Sequence, residues 1–237
     1  MTVLEQAIQA HGGAAHWGRF QRFSARLRMQ GTLFTRKLRR GNLRDVIVDG
    51  STRQQYLRFT GLTAPDQRVI FRPECVATES LEGRLLAERE DPRAAFANHT
   101  EDTPWDDLHL AYFCGYATWN CLTSPFLLAA PGFVCEELEP WMAEGEVWRR
   151  LKVRFPSNIV THSEEQIFYF DEQGLHRRVD YRAPIAGGTS IAQYMWAHQE
   201  CSGVLVASHR SAHRMAFDGL VVGQPILTID VLDAAFD

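Results

Sequence analysis

Positive charge and paired cysteines are both scarce in this sequence. The 237 residues carry 25 Lys and Arg against 29 Asp and Glu, a net charge of −4. This balance argues against a nucleic-acid partner, because nucleic-acid-binding proteins show a basic excess. One short basic run at residues 36–40 is interpreted as a solvated strand or hairpin tip. The five cysteines are an odd number without CxxC spacing, so we expect neither a zinc knuckle nor a disulfide framework.

Sequence signals for membranes, export and nucleotides are missing as well. No stretch reaches the roughly 18 apolar residues of a membrane span, and residues 1–13 lack the basic and apolar regions of a secretory signal. We therefore expect a cytoplasmic protein. The pair Gly187 and Gly188 is followed by no helix whose N-terminus could hold a phosphate. We predict no cofactor, and the oligomeric state, including a homodimer, stays open.

Alternation of apolar and polar residues dominates most of the chain. Residues 23–29 alternate in the way typical of a half-buried strand, and about a dozen β-rich segments follow along the chain. Helices do not alternate with strands, so antiparallel pairing is favoured over a parallel sheet. The sequence predicts an α+β, mostly antiparallel β fold, in which a strongly curved half-barrel sheet wraps a central helical segment and a short helix comes first. We expect one domain with four parts: an N-terminal helical segment (1–20), a first strand set (21–90), a central helical insertion (103–130) and a second strand set (133–237).

The central segment TPWDDLHLAYFCGYATWN, residues 103–120, predicts a helix that is covered nearly all round. Thr103 is placed to cap it, Pro104 suits the first helical position, and Asp106 stands where a capping box has its acid. We interpret Asp106 and Asp107 as capping residues in preference to a catalytic pair. Most of the circumference that follows is aromatic or aliphatic, which indicates burial on every side.

One face of this helix carries polar side chains at helical spacing. His109, Tyr112, Tyr116 and Asn120 stand at i, i+3, i+7 and i+11 and therefore share a line. Two interpretations remain open. The groups form hydrogen bonds with the sheet and orient the helix, or they face a partly wet cavity that holds a ligand.

A second constellation lies on two strands near the C-terminus. Tyr194, Trp196 and His198 are two residues apart and should share one strand face. If His198 faced inward together with His209 and His213 of the next strand, three imidazoles could bind zinc or iron. Alternating polar positions usually mark the solvent face, so we predict no metal. At residues 161–163, Thr-His-Ser includes His162, which suits an acid or base at a cavity rim better than a hydrolase triad.

Three stretches carry a resemblance to known proteins. The motif HGGAAHW and residues 90–133 and 146–181 resemble a group of uncharacterised bacterial cytosolic proteins of similar length. The order of elements, a short helix followed by many strands with helical material between them, is similar to the LolA-like lipoprotein-carrier half-barrels. That similarity implies a concave sheet face, partly filled by helix, that holds acyl chains or other apolar ligands. The signal peptide and lipobox cysteine of the periplasmic carriers are not seen in the sequence.

Three functional hypotheses follow. The first is a half-barrel that binds a hydrophobic small molecule or lipid-like ligand. The second is a cofactor-free acid/base enzyme on the same scaffold, a cyclase, isomerase or dehydratase acting on a polyketide- or terpenoid-like substrate. The third is a structural or dimerising protein with a fully packed core. The predicted catalytic residues are His109, Tyr116 and His198. The predicted ligand-binding residues are Tyr112, Trp119, Asn120, Tyr194 and Trp196.

Overall fold

A computed structural model describes residues 1–38, 43–143, 145–216 and 219–237. Within these ranges, thirteen strands join into one antiparallel sheet. The strands of the first half are β1 (Arg22–Gln30), β2 (Leu43–Ser51), β3 (Leu57–Thr60), β4 (Gln67–Phe71), β5 (Cys75–Ser80) and β6 (Leu85–Glu90). Those of the second half are β7 (Val134–Ala143), β8 (Glu146–Arg154), β9 (Glu165–Phe170), β10 (His176–Ala183), β11 (Thr189–Cys201), β12 (Val204–Met215) and β13 (Val221–Phe236).

The two halves of the sheet meet at its centre. The spatial order is β6-β5-β4-β3-β2-β1-β13-β12-β11-β10-β9-β8-β7, so each half is a meander and the central seam pairs β1 with β13. Phe23 stands opposite Phe236 at one end of that seam, and Gln30 stands opposite Thr228 at the other. The predicted class, a curved and mostly antiparallel sheet with a short helix at the start, is confirmed.

Four α-helices accompany the sheet in the described part of the chain: α1 (Val3–Ala10), α2 (Ala14–Trp17), α3 (Thr32–Leu38) and α4 (Asp107–Thr123). None of them is both long enough and apolar enough to cross a membrane. Thr2 and Glu5 form a capping box on α1, with the Thr2 hydroxyl accepting from the Glu5 N–H. Trp17 stacks on Phe126 with ring centroids 4.4 Å apart, which packs α2 against the segment that follows α4.

The basic run at 36–40 was predicted as a strand or hairpin tip, and that prediction is wrong for its first part. Arg36 and Lys37 belong to α3, while Arg39 and Arg40 lie outside the described residues. The Lys37 ammonium is buried and donates to the carbonyl oxygens of Thr100 and Thr103, at 2.5 and 3.3 Å. A lysine can be buried in this way because backbone carbonyls replace its lost water. The helix is thereby attached to the loop before α4.

The predicted central helix is present, but it begins later than expected. Its N-cap is Asp106, whose carboxylate accepts the His109 N–H at 2.9 Å, whereas Thr103 was the predicted cap. The Thr103 hydroxyl instead accepts the Thr100 N–H at 2.9 Å and closes a turn that precedes the helix. Arg89 donates two hydrogen bonds to Asp106. The interpretation of Asp106 as a capping acid is therefore confirmed.

Helix α4 is the link between the two edges of the sheet. The chain leaves the edge strand β6, passes through α4 and continues to the opposite edge strand β7. Close packing against the sheet requires a residue without a side chain at Gly115, because a Cβ there would lie 2.2 Å from the Phe71 ring. Tyr112, Tyr116 and Trp119 are fully or almost fully buried, as the aromatic composition predicts.

One irregular residue of β11, Ala197, separates residues that were predicted to share a face. Trp196 pairs with His209 and His198 with Ala207, and between them Ala197 has a positive φ of 53°. The register is unshifted, so the left-handed backbone of Ala197, without an inserted residue, interrupts the alternation of the strand. His198 therefore does not share a face with Tyr194 and Trp196. Trp196 is 39% exposed and packs on the His209 ring, whereas His198 lines a small internal cavity.

Candidate functional site

The candidate site is a cavity of about 260 Å³ between α3, α4 and strands β10 to β13. Most of its wall is aliphatic or aromatic, with few polar groups. Its lining residues are Thr32, Leu33, Arg36, Glu101, Phe113, His162, Tyr181, Ala183, Ala186, Thr189, Ile191, Ala212, Arg214, Ile226 and Leu227. We call this the main cavity. Small side chains at Ala183 and Ala212, on facing positions of the curved sheet, leave the space that larger residues would fill.

Charged residues gather at the open end of the main cavity. Arg214 of β12 donates two hydrogen bonds to the Glu101 carboxylate, at 2.9 and 2.7 Å. Arg36 of α3 donates a third at 2.9 Å, and the Thr189 hydroxyl donates a fourth at 2.6 Å. The hydrogen bonds from Arg214 and Thr189 lower the pKa of Glu101 to about 2 against the opposing effect of burial. Arg36 also pairs with the largely exposed Asp102 at 3.4 Å, so two arginines and two carboxylates meet at this end.

Two aromatic side chains and an imidazole form the inner wall. The His162 ring stacks on Tyr181, with centroids 4.0 Å apart and planes 5° from parallel. Its Nδ1 lies 3.0 Å from the Tyr116 hydroxyl. Burial, helped by the positive charge of Arg93, lowers the pKa of His162 to about 3, so the ring is neutral near pH 7. Burial also raises the pKa of Tyr116 well above its ordinary value. His162 and Tyr116 together therefore give this wall groups that can form hydrogen bonds but carry no charge.

The loop that presents His162 is fixed by three polar side chains. Gln55 accepts the Val160 N–H at 2.7 Å and donates to the Val160 carbonyl at 2.8 Å, as a neighbouring strand would. Arg93 donates to the Thr161 carbonyl at 3.0 Å, and Gln166 donates to the Thr161 hydroxyl. These bonds satisfy the backbone of an irregular segment and hold the imidazole in place.

The polar residues along one face of α4 have different partners: His109 is part of the helix cap, Asn120 bonds to a loop, and Tyr116 contacts the wall of the main cavity. His109 accepts the Asp106 N–H at Nδ1 and lies 3.2 Å from the Ala95 carbonyl at Nε2, so both ring nitrogens serve the start of the helix. Asn120 donates to the Val160 carbonyl and accepts from Gln55, both at 3.2 Å. Of this line, Tyr116 meets the main cavity wall, and it does so through His162.

The remaining predicted site residues lie elsewhere. Tyr112 is fully buried against Phe71, Phe96 and Tyr116. The indole N–H of Trp119 donates to the Ser51 carbonyl at 2.7 Å, which joins α4 to β2. Tyr194 accepts a hydrogen bond from Arg178 at 2.9 Å, on the face of the sheet opposite the main cavity. The roles proposed for these residues in ligand binding stay predictions.

Sequence reasoning missed the charged end of the main cavity. Glu101 lies in a loop without periodicity, and its partners come from α3 and β12, far away along the chain. Arg214 carried a weak signal, since it alternates with the buried Arg210 and Ala212 on one strand face. Phe113 of α4 also lines the cavity, and the aromatic and aliphatic residues around it in the sequence do not single it out.

Comparison with known proteins identifies the fold but no family. No protein-family description and no curated protein matches the sequence. Among solved structures, a DUF1329 family protein from Desulfovibrio piger superposes with a TM-score of 0.56 at 9% identity, over 99% of this chain and 92% of that one. A LolA superfamily protein from Nitrosomonas europaea gives 0.53 at 7% identity, over 99% and 92%. A domain of the outer-membrane lipoprotein-sorting kind from Vibrio parahaemolyticus gives 0.48 at 10% identity, over 99% and 92%. The chain therefore has a LolA-like fold, as the order of its elements suggested.

The predicted cytoplasmic location is wrong in the light of these structures. One similar chain belongs to the LolA superfamily, the fold of the periplasmic carriers named above. This likeness points away from the cytoplasm. The absence of a recognisable signal in residues 1–13 was a poor guide to location.

Proposed function

We propose that this protein binds a lipid-like molecule in the main cavity, with the apolar part of the ligand inside and a polar group at the charged end. The observation that carries the proposal is the cavity itself, an apolar space of about 260 Å³ that opens beside Arg36, Glu101 and Arg214. Protein interiors are otherwise close-packed, so an apolar cavity of this size is unusual without a ligand.

The size of the main cavity limits what it holds. At about 30 Å³ for each water-sized group, the cavity takes roughly nine such groups. A short acyl segment or one to two fused rings fits this space. A longer chain would extend through the open end past α3, where Thr32 and Leu33 form part of the wall.

The charge at the open end favours an acidic head group. Arg36 and Arg214 share the Glu101 carboxylate, and the second partner of Arg36, Asp102, is largely exposed and screened by solvent. A carboxylate or phosphate of the ligand would bind the arginines in place of Asp102. At the inner end, the neutral His162 and the neighbouring tyrosines can contact the apolar end of the ligand at little cost, because no charged group there loses its hydration on binding. We expect a fatty acid to bind more tightly than its methyl ester, and the ester more tightly than the primary amine of equal chain length.

The test is a titration with a fluorescent fatty acid, accompanied by native mass spectrometry for a ligand that co-purifies. Ala212→Leu places extra carbons in the main cavity and should weaken binding at least tenfold, which corresponds to about 1.4 kcal/mol. Ala87→Leu is the matched control, because Ala87 is exposed on the edge strand β6 and the same change there should leave affinity unaltered.

The charged end is tested separately with Glu101→Gln. Removal of the carboxylate leaves both arginines for the ligand, so affinity for the fatty acid should rise about fivefold, or about 1 kcal/mol. Equal affinity of wild-type protein and Ala212→Leu for the fatty acid would overturn the cavity proposal. An unchanged affinity for the fatty acid in Glu101→Gln would overturn the head-group assignment and leave the cavity proposal intact.

A further inference from the structure

A second polar cluster is buried apart from the main cavity. His11 at the end of α1, His176 of β10, His198 of β11 and Arg210 of β12 line a small cavity of about 10 Å³. A neighbouring cavity of about 30 Å³ shares His176 and Arg210 with it. None of these four residues lines the main cavity. We call the four side chains the histidine–arginine cluster.

Arg210 is a buried cation without a counter-ion. The residue is 4% exposed, and in the part of the chain that the structure describes it forms no ion pair. One guanidinium nitrogen donates to the Cys121 carbonyl in the last turn of α4 at 2.9 Å, and another contacts the Met195 sulfur at 2.9 Å. The third, Nε, is buried without a hydrogen-bond partner. The carbonyls at the end of a helix carry only partial negative charge, so they compensate the guanidinium incompletely.

The histidines leave further polar atoms unsatisfied around the same cavity. Nε2 of His176 and Nε2 of His198 are buried without partners, and His176 is 4% exposed. The His11 ring lies 5.8 Å from the His198 ring, and its Nδ1 bonds the Ala7 carbonyl at 2.8 Å. Burial first, and then the charge of Arg210, lowers the pKa of His11 to about 4. Burial first, and then the His11 ring and Arg210, lowers the pKa of His198 to about 4. The charged groups that act on these rings are arginines, so the electrostatic potential in the cavity is positive.

We infer that the histidine–arginine cluster binds a monatomic anion, a halide such as chloride. An anion would pair with the Arg210 guanidinium and accept its Nε–H. His176 and His198 would donate to the anion from Nε2 after the ring proton moves there from the nitrogen that faces the backbone of Arg178 and of His176. The space holds one water-sized particle, which is too small for a carboxylate or a phosphate. A metal cation does not fit, because the guanidinium would repel it and because no three His, Cys, Asp or Glu side chains of the described residues have metal-binding geometry.

The position of the cluster gives the anion a structural role. Its residues come from the end of α1 and from three successive strands, and Arg210 also reaches the last turn of α4. A bound anion would therefore join the N-terminal helix, the second half of the sheet and the crossing helix at one point. Because it would bind the folded chain alone, it should raise thermal stability in proportion to its occupancy.

The experiment uses bromide, which is detectable by anomalous diffraction. Crystals grown in sodium bromide should show an anomalous peak within contact distance of Arg210 Nε and His176 Nε2. In solution, replacing sodium gluconate by sodium bromide at constant ionic strength should raise the melting temperature of the wild type by on the order of 3 °C. Arg210→Met should lose that difference, and Arg154→Met, at an exposed arginine, should retain it.

Two results would overturn the inference. One is electron density in the cluster that refines as water and gives no anomalous peak in high bromide. The other is a bromide-dependent rise that is the same in wild type and Arg210→Met, since the stabilisation would then arise elsewhere on the protein. The diffraction experiment needs only the wild type, so it decides the question even if Arg210→Met does not fold.

Discussion

Arg214 and Glu101 face each other across the open end of the main cavity and are joined by two hydrogen bonds of 2.9 and 2.7 Å. The pair connects β12 to the loop before α4, and Arg36 extends it to α3. Three segments that are distant in the sequence are thus held together by one carboxylate. The distance between these three segments sets the width of the cavity entrance.

The carboxylate at this junction should make stability depend on pH. The pKa of Glu101 is lowered to about 2, so its contribution is complete above its ordinary value near 4.5 and is lost as the pH falls towards 2. Glu101→Gln should lower the free energy of unfolding at pH 7 by about 1 kcal/mol, a modest value because solvent screens the pair. Urea unfolding from pH 7 to pH 2 measures both effects. Glu164→Gln, at an exposed position, is the control and should change neither.

Buried histidines should destabilise the protein at mildly acidic pH. Burial lowers the pKa of His11 and His198 to about 4 and that of His162 to about 3, and it lowers the pKa of His176 well below its ordinary value. The unfolded chain binds these protons near pH 6.5 while the folded chain does not. Stability should therefore be flat above pH 7 and fall from about pH 6.5 towards pH 4, by up to about 1.4 kcal/mol per pH unit for each histidine.

His162→Phe checks the contribution of one ring. The variant should reduce the slope of unfolding free energy against pH by about 1.4 kcal/mol per pH unit between pH 6 and 4. At pH 8 the slopes of variant and wild type should coincide, which serves as the internal control. An unchanged acid slope in His162→Phe would mean that the imidazole is protonated in the folded protein.

At position 115, alanine should be less stabilising than glycine, the opposite of their usual order of helix propensity. Replacing glycine by alanine within a helix normally stabilises it by about 1 kcal/mol. Here the added Cβ would lie 2.2 Å from the buried Phe71 ring, and overpacking of this kind costs about 1–3 kcal/mol. Gly115→Ala should therefore lower the melting temperature. Ala117→Gly, in the same helix, should cost about 1 kcal/mol through propensity alone, and a stabilised Gly115→Ala would show that Phe71 can move aside.

The left-handed residue Ala197 should accept glycine with a gain in stability. Its φ of 53° is unfavourable for alanine and neutral for glycine, so Ala197→Gly should stabilise by about 0.5–1 kcal/mol. Ala192→Gly, at a buried regular position of the same strand, should destabilise by a similar amount. Denaturant unfolding of the two variants makes the comparison directly. Destabilisation by Ala197→Gly would argue against a left-handed backbone at this position.

Local periodicity accounts for the parts of the fold that the sequence predicts well. The alternation in residues 23–29 became β1, and the short helix predicted within residues 1–20 became α1. The long apolar stretch with its acidic start became α4. In each case the signal lies within one element, so neighbouring residues are enough to read it.

Other features depend on partners that are far away in the sequence. The basic run at 36–40, whose first part belongs to α3, was predicted as a strand or hairpin tip. The helix is instead stabilised by hydrogen bonds from Lys37 to the carbonyls of Thr100 and Thr103, which are distant in the sequence. The face of His198 was predicted by simple alternation, which the left-handed backbone of Ala197 interrupts. The charged end of the main cavity requires Glu101 and Arg214 to meet, and pairing across the fold leaves no local pattern.

The central seam of the sheet has a consequence for the order of folding. Strand β1 is the first strand of the sheet to be synthesised, yet one of its two neighbours, β13, is the last of the thirteen described strands. During synthesis β1 can pair with β2, but its other edge has to wait until the eleven strands between β1 and β13 have been made. Contacts of such long sequence separation fold slowly, and open strand edges promote aggregation in the meantime. We expect the seam to form last, so that joining the two meanders is the slow step of folding.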